Sequence, residues 1–171
     1  MDLKLVYAPD SSSKELFTVF SDADHGGNKD NGRSTGAYVT RIGTGAVNWS
    51  SKLQPIVTLS STEAEYVAAV EAGKEICWMR NLLTELGYSI TDQPSTMHVD
   101  NNSAITVAKN PEHFGRLKHL DLRMYWLRDV CSAGTISPVF CPTAEMPADL
   151  LTKALERVKV AKLRSMLGLQ D

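Results

Sequence analysis

Four carboxylates stand where regular structure begins or ends, and carboxylates so placed are suited to holding a divalent cation. Asp22 closes an alternating run rich in Phe, Val and Thr, and Asp100 closes a second strand-like run. Glu65 lies in the first turns of a long helical pattern, and Asp149 opens another helical stretch. Acids at the same ends of neighbouring strands, about 4.8 Å apart, can share one metal site. Each acid also has an ordinary structural use. Ser60 with Glu63 fits a reciprocal helix cap, and so does Thr62 with Glu65. Asp22 fits a turn, Asp100 an N-cap for the helix that follows, and Asp149 the acid that a helix dipole favours. Asp24 reads as a loop acid beside Asp22. Taken singly, none of these positions decides between the two uses.

The elements that must position the acids follow from periodicity. Glu15 to Ser21 alternates and ends at Asp22, after which the run from His25 to Arg33 is too rich in glycine and polar residues for regular structure. Thr35 to Ile42 and Ala46 to Lys52 alternate again across Gly43-Thr44-Gly45, predicting a hairpin and hence a three-stranded antiparallel meander. From about Ser61 to Leu86 the pattern is helical, with Gly87 as its stop and Gly73 placed to bend or divide it. Glu65, Ala69 and Ala72 share one stripe, so the flank of Glu65 is small enough for close approach. A strand from Thr96 to Asp100 and a short helix from Asn101 to Lys109 come next. Leu120, Met124, Leu127 and Cys131 then recur at helical spacing up to Gly134. Thr135 to Phe140 reads as a last strand, Cys141 to Pro147 as a loop, and Ala148 to Leu167 as a final helix carrying Lys153, Arg157, Lys159, Lys162 and Arg164. The expected class is α/β, a mixed five-stranded sheet whose first three strands are antiparallel and whose later strands run parallel through right-handed crossovers, with helices on both faces.

Bulk properties narrow the functional classes. A chain of 171 residues, 43% hydrophobic, suits one domain over 1–171 with a core that needs no staple, led in by an irregular segment at 1–14. A formal charge of −2 gives no global signature of a polyanion binder, so nucleic-acid contact would rest on local basic groups or metal ions. Cys77, Cys131 and Cys141 are odd in number and lack C-x-x-C spacing, which argues against a disulfide framework or a zinc site and for a reducing compartment. Neither a long apolar run nor a charged leader with an apolar core is visible, so membrane insertion is not expected.

Five blocks, in order along the chain, carry a family resemblance: Phe20-Ser21-Asp22-Ala23-Asp24, Leu59-Ser60-Ser61-Thr62-Glu63-Ala64-Glu65-Tyr66, Val99-Asp100-Asn101-Asn102-Ser103-Ala104-Ile105, Lys118-His119-Leu120-Asp121-Leu122-Arg123 and Pro147-Ala148-Asp149-Leu150-Leu151-Thr152-Lys153. Together they resemble the ribonuclease H domain of copia-type long-terminal-repeat retrotransposon polyproteins. The resemblance implies a ribonuclease H-like fold and hydrolysis of the RNA strand of RNA-DNA hybrids during reverse transcription, leaving 5′-phosphate and 3′-hydroxyl ends. It further implies two Mg²⁺ ions, with Mn²⁺ as a substitute, a reverse transcriptase domain of the same polyprotein as partner, and residence in cytoplasmic virus-like particles. By the same carry-over Asp22, Glu65, Asp100 and Asp149 are the metal-binding catalytic acids, while Glu63 does not match. Asp22 would bridge both ions, Asp100 and Glu65 would serve the leaving-group side, and Asp149 would help hold the nucleophile-side ion. Four carboxylates suit Mg²⁺, which takes hard oxygen ligands and keeps several waters.

Substrate contacts are implied less directly. Recognition of RNA by its 2′-hydroxyl is a task for short polar groups, and the match suggests Asn102, Ser60 and Ser61. Arg33, Arg116, Lys118 and Arg123 are candidates for phosphate contact, with a solvated surface charge as the competing use. Cellular ribonucleases H carry a mobile histidine in the loop before the last acid, whereas Cys141 to Ala148 contains none. His119 reads as a structural hydrogen-bonding group, and Trp49, Trp78 and Trp126 as packing residues. Two other readings use the same fold. One is a catalytically weak or domesticated module that binds hybrid or a partner protein, which the loss of an acid would mark. The other is a different phosphoryl transferase, which would not carry the blocks around Glu65 and Asp149.

Overall fold

The computed structural model describes residues 2–10, 15–90, 92–110 and 123–170, with the side chains of Arg123 and Met124 left out. In chain order the elements are β1 (Lys4–Leu5), β2 (Phe17–Ala23), β3 (Thr35–Ile42), β4 (Gly45–Leu53), α1 (Ser61–Glu85), β5 (Ser95–Val99), α2 (Asn102–Lys109), α3 (Arg123–Ser132), β6 (Ile136–Phe140), two short 3₁₀ turns at Thr143–Glu145 and Pro147–Leu151, α4 (Arg157–Met166) and β7 (Leu169–Gln170). The main sheet has the order β4-β3-β2-β5-β6. Its β2–β3 and β3–β4 pairs are antiparallel, and β2–β5 and β5–β6 are parallel. This is the mixed sheet that the alternation and the intervening helical segments predict.

Central placement explains why β2 is buried along its whole length. Successive side chains point to opposite faces. Phe17 and Val19 join Tyr66, Val70, Ile76, Met97, Leu127 and Ile136 in the larger core beneath α1, α2 and α3. Phe20 turns the other way and packs with Val39, Cys141, Met146, Ala148 and Leu167 on the side of the second 3₁₀ turn and α4. Asp22 therefore shares the face of Phe20, and it reaches the carboxyl end of the strand.

Helix α1 is continuous from Ser61 to Glu85, so Gly73 does not divide it. A Cβ at Gly73 would lie 2.9 Å from Leu127 Cδ1 and 3.3 Å from Trp126, so the glycine is there to let α3 approach α1 closely. The helix ends as expected at Gly87, which takes φ +88° while the Gly87 and Tyr88 N–H groups donate to the carbonyls of Thr84 and Leu83.

Two further expectations need correction. The segment expected to be irregular over 1–14 contributes β1, which pairs antiparallel with β7; Lys4 faces Gln170, Leu5 faces Leu169, and the Val6 N–H donates to Gly168. Two-residue strands have too little alternation to be read from sequence. The helix expected over 148–167 is broken: a 3₁₀ turn carries Asp149, and α4 begins only at Arg157. In the break Thr152 donates its hydroxyl to Asp22 and Lys153 its ammonium to Asp22 and Asp149, long-range bonds that local helix propensity does not contain.

Because Leu127 is fully buried against Gly73, replacing that glycine by a larger group must overpack the α1–α3 contact. Gly73→Leu is expected to lower stability by about 1–3 kcal/mol in denaturant titration despite the better helix propensity of leucine. Unchanged or increased stability would contradict the close packing.

Candidate active site

Local sequence places each acid. Asp22 is the penultimate residue of β2, and Asp100 follows directly on β5. These strands pair in parallel with Ser21 opposite Val99, so the two acids are next in register at the same sheet end. Met146, Pro147 and Ala148, all buried, seat the 3₁₀ turn that carries Asp149. Carboxylate oxygens of Asp22, Asp100 and Asp149 lie within 4.8 Å of one another, an arrangement that could hold a metal ion.

Glu65 comes to this cluster through the start of α1. Ser60 is the N-cap; its hydroxyl accepts the Glu63 N–H at 3.2 Å, and Glu63 Oε2 accepts the Leu59 N–H at 2.7 Å. Of the two overlapping caps the sequence allows, Ser60 with Glu63 is the one formed. Glu65 is left free of capping. Ala64 and Ala68 pack against Ala23 at the end of β2, where small side chains keep helix and strand close. The sequence pointed to Ala69 and Ala72 for this close approach, but the contact falls to Ala64 and Ala68. The Ala23 N–H donates to the Glu65 carboxylate, whose Oε2 is buried without a hydrogen-bond partner.

Burial and like charge shape the electrostatics. Asp22 and Asp149 are fully buried, and Glu65 is 5% exposed. Desolvation raises the Asp22 carboxyl from its ordinary 3.8 to about 6, against the opposing pull of Thr152 and Lys153. Desolvation, then the charges of Asp22 and Asp100, push Glu65 from 4.5 to about 10. For Asp149 burial also acts upward, but hydrogen bonds from Lys153 and Lys159 outweigh it and hold the carboxyl below its usual range. An unpartnered buried oxygen and three converging hard donors are what a divalent cation would satisfy, so the residues fit such an ion.

The alternative uses of the acids sort clearly. Asp100 is not an N-cap: Asn101 caps α2 by accepting the Ala104 N–H, while Asp100 accepts the Thr143 hydroxyl at 3.1 Å. Asp24 shapes the loop after β2, accepting the N–H groups of Thr35 and Gly27. Among the suggested substrate contacts, Ser60 and Ser61 are exposed at the start of α1 and Asn102 is exposed at the start of α2. Arg33 is half-buried in the loop between β2 and β3, whose Ser34 hydroxyl bonds that of Thr58 just before α1. Arg116, Lys118 and His119 fall outside the described residues, as does the side chain of Arg123. His98 stacks on Phe20 with ring centroids 4.6 Å apart, and burial lowers its pKa. Of the tryptophans expected to pack in the core or on the surface, Trp126 lies against the core, and Trp49 and Trp78 are at the surface, 66% and 53% exposed.

Sequence reasoning missed three groups at the site. Thr152 donates to Asp22 Oδ2, Lys153 Nζ lies 3.0 Å from Asp22 Oδ1 and 2.7 Å from Asp149 Oδ1, and Lys159 Nζ lies 2.5 Å from Asp149 Oδ2. Only the Asp149/Lys153 spacing, four apart, could have signalled one of them.

Comparison with solved structures places the fold. A ribonuclease H1 called LC11, solved in complex with an RNA/DNA hybrid, matches with TM-score 0.54 and 18% identity over 80% of this chain and 93% of that one. The N-terminal ribonuclease H domain of Rv2228c from Mycobacterium tuberculosis matches with TM-score 0.53 and 16% identity, covering 80% and 89%. The fold is ribonuclease H-like. In sequence the chain is 39% identical over 159 residues to the retrovirus-related Pol polyprotein from transposon TNT 1-94 of Nicotiana tabacum, and 37% identical over 150 residues to that from transposon RE1 of Arabidopsis thaliana. These alignments take in 93% and 88% of this chain but only 12% and 10% of the relatives' length. No family model matches. The chain belongs with the copia-type Pol polyproteins of plant transposons, as a ribonuclease H-like domain.

The raised carboxyls give a pH dependence of definite sign. Asp22 and Glu65 favour the neutral form in the fold, so their contribution is fully present below their ordinary values. It is lost as pH rises from the ordinary value through the folded one, from 3.8 to about 6 for Asp22 and from 4.5 to about 10 for Glu65. Asp149 acts oppositely, losing its contribution only below the ordinary carboxylate range. With chelator present, the melting temperature is therefore expected to be higher near about pH 5.5 than near about pH 8. Asp22→Asn and Glu65→Gln should each raise it at the higher pH, while Glu63→Ala should cost about 1 kcal/mol through the lost cap. A wild-type protein that melts higher at the alkaline pH, with no gain from either amide variant, would contradict this electrostatic account.

Proposed function

We propose that this domain is a divalent-metal-dependent endoribonuclease that hydrolyses the RNA strand of RNA-DNA hybrids, acting during reverse transcription of a retrotransposon. One observation carries the reading: the carboxylates of Asp22, Asp100 and Asp149 converge within 4.8 Å beside the buried, unpartnered Oε2 of Glu65, on a ribonuclease H-like sheet. A structural site would not gather acids at the cost of raising two of them so far. That all four acids are present favours turnover over a binding module that has lost its chemistry.

In this reading Asp22, Glu65, Asp100 and Asp149 would hold two Mg²⁺ ions, for which Mn²⁺ could substitute. When bound, such ions supply a hydroxide nucleophile at neutral pH and stabilise charge on the leaving oxygen. The remaining work belongs to the chain. Asp22, joined in register to Asp100, fixes the acids on rigid strands, and the cap at Ser60 fixes the direction of Glu65. Water adds to the phosphorus, the bond from phosphorus to the 3′ oxygen breaks, and the second proton of the water ends on that oxygen. The products carry a 5′-phosphate and a 3′-hydroxyl. Ser60 and Ser61, exposed at the start of α1, and Asn102, exposed two residues after Asp100, would be suited to sensing a 2′-hydroxyl. Arg33, Arg116, Lys118 and Arg123 would meet phosphates. The reverse transcriptase part of the same polyprotein would supply much of the grip on substrate, in keeping with a formal charge of only −2. No helix among the described residues is long and apolar enough to cross a membrane. Cytoplasmic virus-like particles are the setting proposed for this role.

A gel assay tests the reading. Labelled RNA-DNA hybrid, double-stranded RNA and double-stranded DNA are incubated with the protein in Mg²⁺ or in chelator. Cleavage should be confined to the RNA of the hybrid and to Mg²⁺, and Asp22→Asn should lower it by at least about a hundredfold, the upper end of what loss of a mere outer-shell partner costs. Cleavage of all three substrates, or cleavage that survives chelation, would overturn it.

A further inference from the structure

The segment that carries Asp149 also delivers cations onto the acids it joins. Thr152 donates to Asp22 Oδ2, and Lys153 bridges Asp22 Oδ1 and Asp149 Oδ1 at 3.0 and 2.7 Å. Lys159, from α4, takes Asp149 Oδ2 at 2.5 Å. Every carboxylate oxygen of Asp22 and Asp149 thus accepts a hydrogen bond from residues 152–159. These are not ordinary surface pairs, which contribute little, because both aspartates have no solvent exposure. The lysines differ from their partners in being 34% and 31% exposed, so each ammonium has a route outward on a flexible four-carbon stem.

An ammonium at hydrogen-bond distance and a divalent ion at about 2.0–2.1 Å cannot use the same carboxylate lone pair. We infer that Lys153 is a tethered counter-cation that competes with divalent ions for Asp22 and Asp149, and so sets the ion concentration at which the site loads. The inference rests on the reading that these acids hold divalent ions. Lys153 is a positioning residue in this role: it neutralises two mutually repelling buried acids until an ion displaces it. Lys159 does the same for the outer oxygen of Asp149 alone. The break in the C-terminal helix serves the device, since it brings Lys153 over Asp22 as well as over the acid four residues before it.

The test reads ion binding directly, by calorimetric titration of the protein with Mn²⁺ and by the melting temperature against Mg²⁺ concentration, with no substrate present. Lys153→Met should bind Mn²⁺ about tenfold more tightly than wild type, a change of about 1.4 kcal/mol. It should also melt lower in chelator, where two acids lose their counter-charge. Lys153→Arg, which keeps the cation, should stay within about twofold of wild type. A merely structural lysine would give the lower melt without the tighter binding, so unchanged or weaker affinity in Lys153→Met overturns the inference. If that variant does not fold in chelator, Lys159→Met decides the matter, with a smaller tightening expected and unchanged affinity contradicting it. Asp22→Asn separates the two levels. Saturable binding by wild type that Asp22→Asn loses, together with wild-type affinity in Lys153→Met, removes this inference and leaves the metal site standing. No saturable binding by wild type removes both.

Discussion

Like-charge repulsion among buried carboxylates is the constraint around which this domain is arranged. Asp22 and Asp149 are withdrawn from solvent, Glu65 nearly so, and three of the acids come within 4.8 Å. Water alone cannot screen charges so placed, and desolvation raises Asp22 and Glu65 far above ordinary carboxyls. Such a cluster persists only where the surrounding structure over-determines it. Here the parallel register of β2 with β5 fixes two acids, the buried turn at Met146 to Ala148 fixes the third, and a helix cap fixes the direction of the fourth.

The helix cap shows how local and functional structure are joined. Ser60 and Glu63 satisfy N–H groups at the start of α1, a task that many helix starts perform. Its consequence here lies two residues on, because the cap sets the helix phase and Ala64 and Ala68 then close on Ala23. Glu65 is carried against the end of β2. A longer side chain at any of those three alanines would hold the helix off the strand and the carboxylate away from Asp22.

Much of this was legible in the sequence because it is governed by short-range patterns. Period-two alternation marked β2, β3 and β4, and the change to helical period marked α1. The order of the acid-bearing blocks marked the fold to which the solved ribonucleases H bear likeness. What escaped was long-range. The pairing of β1 with β7 joins chain ends through two residues each, too few to alternate. The break before α4 and the cations it delivers depend on Thr152 and Lys153 meeting Asp22, some 130 residues earlier in the chain. Gly73 was read as a flaw in a helix, whereas its role is set by Leu127 and Trp126 on another element. Periodicity carries no information about such partners.

Anomalous scattering from a crystal of the protein grown or soaked with Mn²⁺ tests most directly whether the acids form a metal centre. The account predicts a peak within coordination distance of Asp22, flanked by Asp100, Asp149 and Glu65, with the Lys153 ammonium moved off the two aspartates. A saturating soak that leaves no peak there, or a peak bound by other residues with the acids still bridged by Lys153, would contradict it.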